Sequence, residues 1–259
     1  MLELSLMQIL LISLYAFISD VDGLTFQMGL SNAIFAGAFT GIVVGDIKLG
    51  LAIGATLQLM GLGVATYGGA SVPNYKAAAM LGTAFAAITG QSIEFAIGIA
   101  VPVGILLTHM GTLVRFVNVF FQHKAEKYAD EANLTGVSRS NALCCLTWGF
   151  GAAIPVFLGL YFGSEVVGFV TDKIPVWLLT GLKVSGKILP AMGIAILMRY
   201  LPLKKFYPFM ILGFAIAAFL NVSLVGVAII GFAIAAIWLM IKNQGLQVQS
   251  QDEGGDIDD

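Results

Sequence analysis

Phe206-Tyr-Pro-Phe-Met-Ile-Leu-Gly-Phe-Ala-Ile-Ala-Ala-Phe-Leu-Asn221-Val-Ser-Leu-Val-Gly-Val-Ala-Ile-Ile-Gly-Phe-Ala-Ile-Ala-Ala-Ile-Trp-Leu-Met-Ile241 runs for 36 residues without a charged side chain. Crossing about 30 Å of hydrocarbon takes roughly 20 apolar residues in a helix. The stretch is therefore read as two short or tilted helices that turn at Asn221-Val-Ser. The rest of the chain agrees. Of 259 residues, 58% are hydrophobic and 11% charged, against about 25% charged in a soluble domain. A soluble enzyme of this composition would expose too much apolar surface, and a disordered chain would be more polar. The sequence is that of an all-α integral membrane protein.

Charges divide the remainder into further spans. Residues 4–19 and 29–44 are uncharged, and between 49 and 93 the only charge is Lys76. The spans 95–119 and 142–164 are long enough to cross, as is 174–198, which carries Lys183 and Lys187. Spans 4–19 and 29–44 are short and paired, the lengths expected of re-entrant hairpins or of short tilted helices. Irregular backbone is not tolerated against lipid, so such hairpins need cover from an oligomer or a partner subunit. The expected organisation is a hairpin region over 1–93, then a transmembrane helix bundle over 94–242. A polar loop at 120–141 interrupts the bundle, and an acidic, disordered tail is expected over 243–259.

Basic loops set the expected orientation. Gln122-His-Lys124-Ala-Glu-Lys127, continuing to Arg139, and Arg199-Tyr-Leu-Pro-Leu-Lys204-Lys205 are the Lys/Arg-rich connections, which stay cytoplasmic. Two crossings in 206–241 would then leave the C-terminus cytoplasmic too. Parity leaves the side of the N-terminus open. Met1-Leu-Glu-Leu-Ser5 lacks the basic flank of a cleavable signal, so the first span is expected to remain in the mature chain.

The stretch richest in chemistry is Gly54-Ala-Thr-Leu-Gln58-Leu-Met-Gly61-Leu-Gly63-Val-Ala-Thr-Tyr67-Gly68-Gly69-Ala-Ser71-Val-Pro73-Asn74. Glycines let a backbone leave helical geometry, and a proline removes a donor. An unwound loop at membrane depth is how transporters expose a midplane site. Gln58, Tyr67, Ser71 and Asn74 offer neutral donors, acceptors and one aromatic face, the vocabulary of sugar recognition. Gln27 and Gln91, at hairpin ends, are secondary candidates. Close helix packing through small residues, with the polar groups as interhelical glue, is the competing reading.

Other residues point to no catalysis. His109 in an apolar run reads as a hydrogen-bonded helix contact, and His123 as a solvated loop residue. Adjacent Cys144 and Cys145 are too few for a disulfide framework. Asp20 and Asp22 read as a wet turn at the first hairpin tip, with reach to the sugar as the lesser alternative. Gly61-Leu-Gly63 lacks the context of a nucleotide loop. No metal-ligand spacing, catalytic set or cofactor motif is found, and without a dense Lys/Arg cluster nucleic acid is not an expected partner.

Gly45-Asp46-Ile-Lys48-Leu-Gly-Leu-Ala-Ile-Gly54-Ala-Thr-Leu-Gln58, with the glycine-rich loop ending in Pro73-Asn74, resembles the IIC membrane subunit of mannose/fructose/sorbose-type phosphotransferase systems (PTS). Gly90-Gln91-Ser92, Phe121-Gln122-His123-Lys124-Ala125, Asn133-Leu-Thr135 and Ala-Phe-Leu-Asn221 extend the resemblance to nearly the whole chain. It implies a sugar-translocating permease subunit of the bacterial cytoplasmic membrane. Such a subunit works with a IID membrane subunit and with cytoplasmic IIA and IIB, which carry the phosphoryl group. The 120–141 loop would be a docking surface for IIB. The chain departs from the mannose and sorbose pattern at Gln58, where an acid is expected, and at Pro73-Asn74, where Pro-Asp is expected. Pro-Asn looks more like the N-acetylgalactosamine branch. A His-Arg-Pro expected before the second span is replaced by Gly29-Leu30-Ser31-Asn32-Ala33.

Lys183 and Lys187 stand four residues apart, on one helix face. Lysines at membrane depth are costly, so the pair either lines the path and selects an anionic sugar, such as a uronate-containing disaccharide, or snorkels to headgroups. Two other function classes compete with the permease subunit. One is a stand-alone, ion-coupled transporter of a small polar solute, which needs intramembrane carboxylates that the long spans lack. The other is a structural or receptor-like subunit that transports nothing by itself.

Overall fold

A computed structural model describes residues 4–62, 72–173, 176–220 and 222–252. The described residues are helical between short turns. The chain forms two compact units, Met1–Met198 and Arg199–Asp259.

In the first unit, α1 spans Leu6–Leu24. Ser5 opens it with a capping box: its hydroxyl accepts from Gln8 N at 3.3 Å, and Gln8 Oε1 accepts from Ser5 N at 2.9 Å. The Gln8 amide also donates to Val43 O at 2.8 Å, which ties the start of α1 to the end of α2. Helices α2 (Ala33–Val44) and α3 (Ile47–Gly61) form a hairpin. They turn at Gly45, whose φ of 91° is left-handed, and at Asp46, which caps Leu49 N at 3.0 Å.

The hairpin's packing is written in glycine spacing. Gly37 and Gly41 on α2 face Gly50 and Gly54 on α3. A Cβ at Gly50 would lie 2.2 Å from Gly37 O, and one at Gly37 2.4 Å from Gly50 O. Backbones touch there with no side chain between them, the small-xxx-small contact of membrane helices. At about 18 and 22 Å, α2 and α3 are too short to cross a bilayer. By contrast α1, at 19 residues, is long and apolar enough. The expected short first span thus extends through Leu24 and carries Asp20 and Asp22 inside the helix.

Helix α4 (Tyr75–Thr89) is the centre of this unit, buried along nearly its whole length and packed by α2, α3, α5 and α6. Small side chains at Ala77, Ala78, Ala79 and Ala84 let those neighbours close around it. α5 (Ile93–Asp130) and α6 (Leu134–Lys173) are also long and apolar enough to cross, α6 over Leu134–Gly163. At 38 residues, about 57 Å, α5 extends well beyond a hydrocarbon core. The polar 120–141 segment is therefore helical except at the turn 131–133, where Asn133 Oδ1 accepts from Gly136 N at 2.9 Å and starts α6. α7 spans Val176–Tyr200; its Gly193 meets the end of α3, where a Cβ would lie 2.6 Å from Leu59 O.

In the second unit, α8 (Leu203–Phe219) bends at Phe206 ahead of Pro208. α9 spans Leu224–Asp252; of the turn expected at Asn221-Val-Ser, Asn221 lies outside the described residues. It stays helical into the segment that composition reads as an acidic tail.

Candidate functional site

Four helix ends of the first unit converge on a polar cavity of about 350 Å³. Asp20 comes from the end of α1, Asn32 and Ala33 from the start of α2, Gln58 and Gly61 from the end of α3, and Asn74, Tyr75 and Lys76 from the start of α4. Ser31 and Pro73 complete the polar rim.

Each amide is anchored at its oxygen and open at its nitrogen. Gln58 Oε1 accepts from Ala33 N at 2.8 Å, satisfying an orphan donor at the start of α2. Asn74 Oδ1 accepts from Ala77 N at 3.0 Å and caps α4. Neither side-chain NH₂ donates a hydrogen bond among the described residues. The same holds for Ser31 Oγ and for Asn32, which precedes α2 without capping it by its side chain. The cavity therefore presents several unengaged donors held on fixed helix ends.

The loop carrying Pro73 is pinned from α5. Asn74 N donates to Gly104 O at 3.1 Å, and Thr108 Oγ1 donates to Val72 O at 3.1 Å. Gly104 permits this approach, since a Cβ there would come within 3.0 Å of Asn74 O.

An ion pair forms one wall. Lys76 Nζ bonds Asp20 Oδ1, and the lysine is 8% exposed. Asp22, two residues further on, is buried and holds the following loop. Its carboxylate accepts from Met28 N at 2.9 Å and from Leu30 N at 3.0 Å, while Tyr15 Oη donates to Leu30 O at 2.9 Å. The wet turn expected at Asp20 and Asp22 is corrected: Asp22 is a buried carboxylate that holds the following loop, and Asp20 pairs with Lys76 where it lines the cavity. Sequence reasoning missed the pair, although a lone lysine in 45 otherwise uncharged residues was its signal, because a charge there needs a partner.

Of the other sequence candidates, Gln27 is exposed in the turn after α1, its N–H bonded to Asp22 O at 2.9 Å. Gln91 is half-buried beyond the far end of α4, about 22 Å along the helix from Asn74. Neither lines the cavity. Tyr67 and Ser71 lie outside the described residues. Lys183 and Lys187 fall on α7, but their side chains are likewise outside those described. Among the described residues no group of His, Cys, Asp or Glu could hold a metal ion.

A membrane chain whose short helix ends frame a polar, donor-rich cavity has the form of a permease component. The family model for the PTS sorbose-specific IIC component matches residues 6–237. The chain is 30% identical to the mannose-specific EIIC component of Escherichia coli K12, over 93% of this chain and 91% of that protein. It is also 30% identical to N-acetylgalactosamine permease IIC component 1 of the same strain, over 85% and 83%. A solved structure titled as a membrane protein superposes with a TM-score of 0.79 at 30% identity, covering 92% of this chain and 97% of that one. This chain belongs to the sorbose-type IIC family of the phosphotransferase system. It is a permease component, and phosphoryl transfer belongs to other components.

Proposed function

We propose that this chain is the sugar-translocating IIC subunit of a phosphoenolpyruvate-dependent PTS. It holds an uncharged hexose or amino sugar in the polar cavity and releases it for phosphorylation by IIB. The observation that carries this reading is the set of open donors on Gln58, Asn74, Ser31 and Asn32 beside the free edge of the Asp20 carboxylate. Sugar hydroxyls are both donors and acceptors, so they match amide NH₂ groups and a carboxylate in one site. Lys76 and Asp20 cancel, which favours a neutral ligand; a uronate would compete with Asp20 for Lys76. Pro73-Asn74 leans toward amino sugars, and Tyr67 and Ser71, on the connecting segment, complete the proposed contact set.

The proposed partners are a IID membrane subunit, a second copy of this chain, and cytoplasmic IIA and IIB, with IIB meeting the 120–141 segment. The proposed location is the bacterial cytoplasmic membrane, with the basic turns and the C-terminus on the inner side. Competition for uptake, in cells carrying all components, tests the substrate class. Hexoses and N-acetylated amino sugars are expected to compete. Competition only by uronate-containing disaccharides, weakened in Lys183→Gln/Lys187→Gln, would replace this reading with the anionic one.

One observation favours a second reading. Asp20 is a carboxylate within the apolar helix α1, the type of group a stand-alone ion-coupled transporter needs, and it lines the cavity. Uptake by proteoliposomes holding this chain alone, driven by a proton gradient, would establish that alternative; no uptake without the other components supports the PTS subunit.

A further inference from the structure

A second polar cavity, of about 270 Å³, lies where α5 ends and α6 begins. Its charged lining residues are Lys124 from α5 and Arg139 from α6, and no carboxylate lines it. Glu126, Asp130 and Glu131 are close in sequence, yet neither cation is in an ion pair among the described residues. The charge is thus concentrated rather than cancelled.

The cavity is also built. Gly136 lies against the Tyr128 ring, where a Cβ would come within 2.5 Å of the ring carbons. The Lys124 ammonium stands 5.9 Å from the centre of that ring. Asn133 Oδ1 already accepts from Gly136 N, and the start of α6, the positive end of its helix dipole, contributes Asn133, Thr135 and Gly136 to the lining. Ser140, one turn further on, is 2% exposed and lines the cavity, so its short side chain meets the cavity and not bulk solvent. A hydroxyl placed there can donate to an oxygen of a group held between Lys124 and Arg139.

We propose that this cavity binds a phosphate group. Lysine supplies a point charge, arginine a two-pronged donor, and Ser140 with Thr135 neutral donors, a set suited to several oxygens of one tetrahedral anion. The proposal stands on this geometry alone and does not depend on the sugar cavity. The group comes from one of two sources: free or esterified phosphate in water, or the headgroup of an anionic lipid, since the cavity begins just beyond the apolar part of α5.

The full chain is titrated with inorganic phosphate by calorimetry, in detergent and in nanodiscs of phosphatidylcholine with or without phosphatidic acid. Saturable binding is expected in detergent, weakened about tenfold or more in Arg139→Gln and in Lys124→Gln, both exposed positions. Ser140→Ala, nearly isosteric, is expected to weaken it several-fold without lowering the melting temperature. If phosphatidic acid reduces phosphate affinity in the wild type but not in Arg139→Gln, the lipid headgroup is the source; no such competition assigns the site to soluble phosphate. No saturable binding in the wild type overturns the proposal. So do Arg139→Gln and Lys124→Gln variants that bind like wild type, or loss confined to those two with Ser140→Ala unaffected, which would mean surface charge and no built site.

Discussion

The Lys76 ammonium of α4 is bonded to the Asp20 carboxylate of α1, across 56 residues of sequence, at the wall of the polar cavity. A buried charge is stable when paired, and breaking the pair strands the other charge. Lys76→Met and Asp20→Leu are each expected to cost about 3 kcal/mol, read as a lowered melting temperature in detergent. The double variant is expected to regain most of that stability, because both charges have gone. It is also expected to lose sugar binding, since the cavity then lacks its acceptor. Full binding by a stable double variant would remove the pair from the site.

Gln58 separates the structural from the binding role of one side chain. Its oxygen satisfies Ala33 N at 2.8 Å, while its nitrogen makes no hydrogen bond among the described residues and the side chain lines the cavity. Gln58→Glu keeps an acceptor for Ala33 but exchanges the donor for a charge, so the variant should fold normally and bind sugar at least tenfold more weakly. Gln58→Ala should lose both, with a stability cost of about 1–3 kcal/mol for the orphaned N–H. Equal sugar affinity in Gln58→Glu and wild type would argue that this amide does not touch the ligand.

How far these features could be read beforehand depends on their range. Charge punctuation marked α5 and α6, whose apolar parts are long enough to cross, because hydropathy over 20 residues is a local property. Gln58 and Asn74 stood out because polar amides beside glycines and a proline have few roles within an apolar chain. The partner of Lys76 was invisible, since pairing it with Asp20 requires knowing that α1 lies beside α4. Asp22 was misread for the same reason: its partners are the N–H groups of Met28 and Leu30, six and eight residues away around a turn. The GxxxG spacing of α2 and of α3 was in plain view at Gly37, Gly41, Gly50 and Gly54. Only the structure shows the two motifs facing each other.

Asn74 holds α4 and the cavity at once. Asn74→Asp preserves the cap on Ala77 N and should leave the melting temperature within a few tenths of a degree to a degree of wild type, whereas Asn74→Ala should lower stability by about 1 kcal/mol. Sugar binding should fall in both, because both remove the NH₂ that faces the cavity. Binding that falls only in Asn74→Ala would assign the residue to capping alone.

The backbone contact between α2 and α3 sets the width of the cavity, because Ala33 and Gln58 sit on the two arms of that hairpin and are bonded across it. Gly50→Ala places a methyl 2.2 Å from Gly37 O, against backbone that cannot rotate away. The helices must separate, which costs about 1–3 kcal/mol as overpacking and stretches the Gln58–Ala33 bond. Gly213→Ala on α8 is the control, since a Cβ there meets nothing within 4 Å and the residue is helical. Gly50→Ala should therefore lower both melting temperature and sugar affinity, while Gly213→Ala should leave the melting temperature unchanged or slightly raised, as helix propensity favours alanine. Cross-linking between cysteines placed at positions 34 and 57 should slow in Gly50→Ala if the arms have moved apart. Unchanged cross-linking and affinity in a folded Gly50→Ala protein would show that the glycine contact does not govern the cavity.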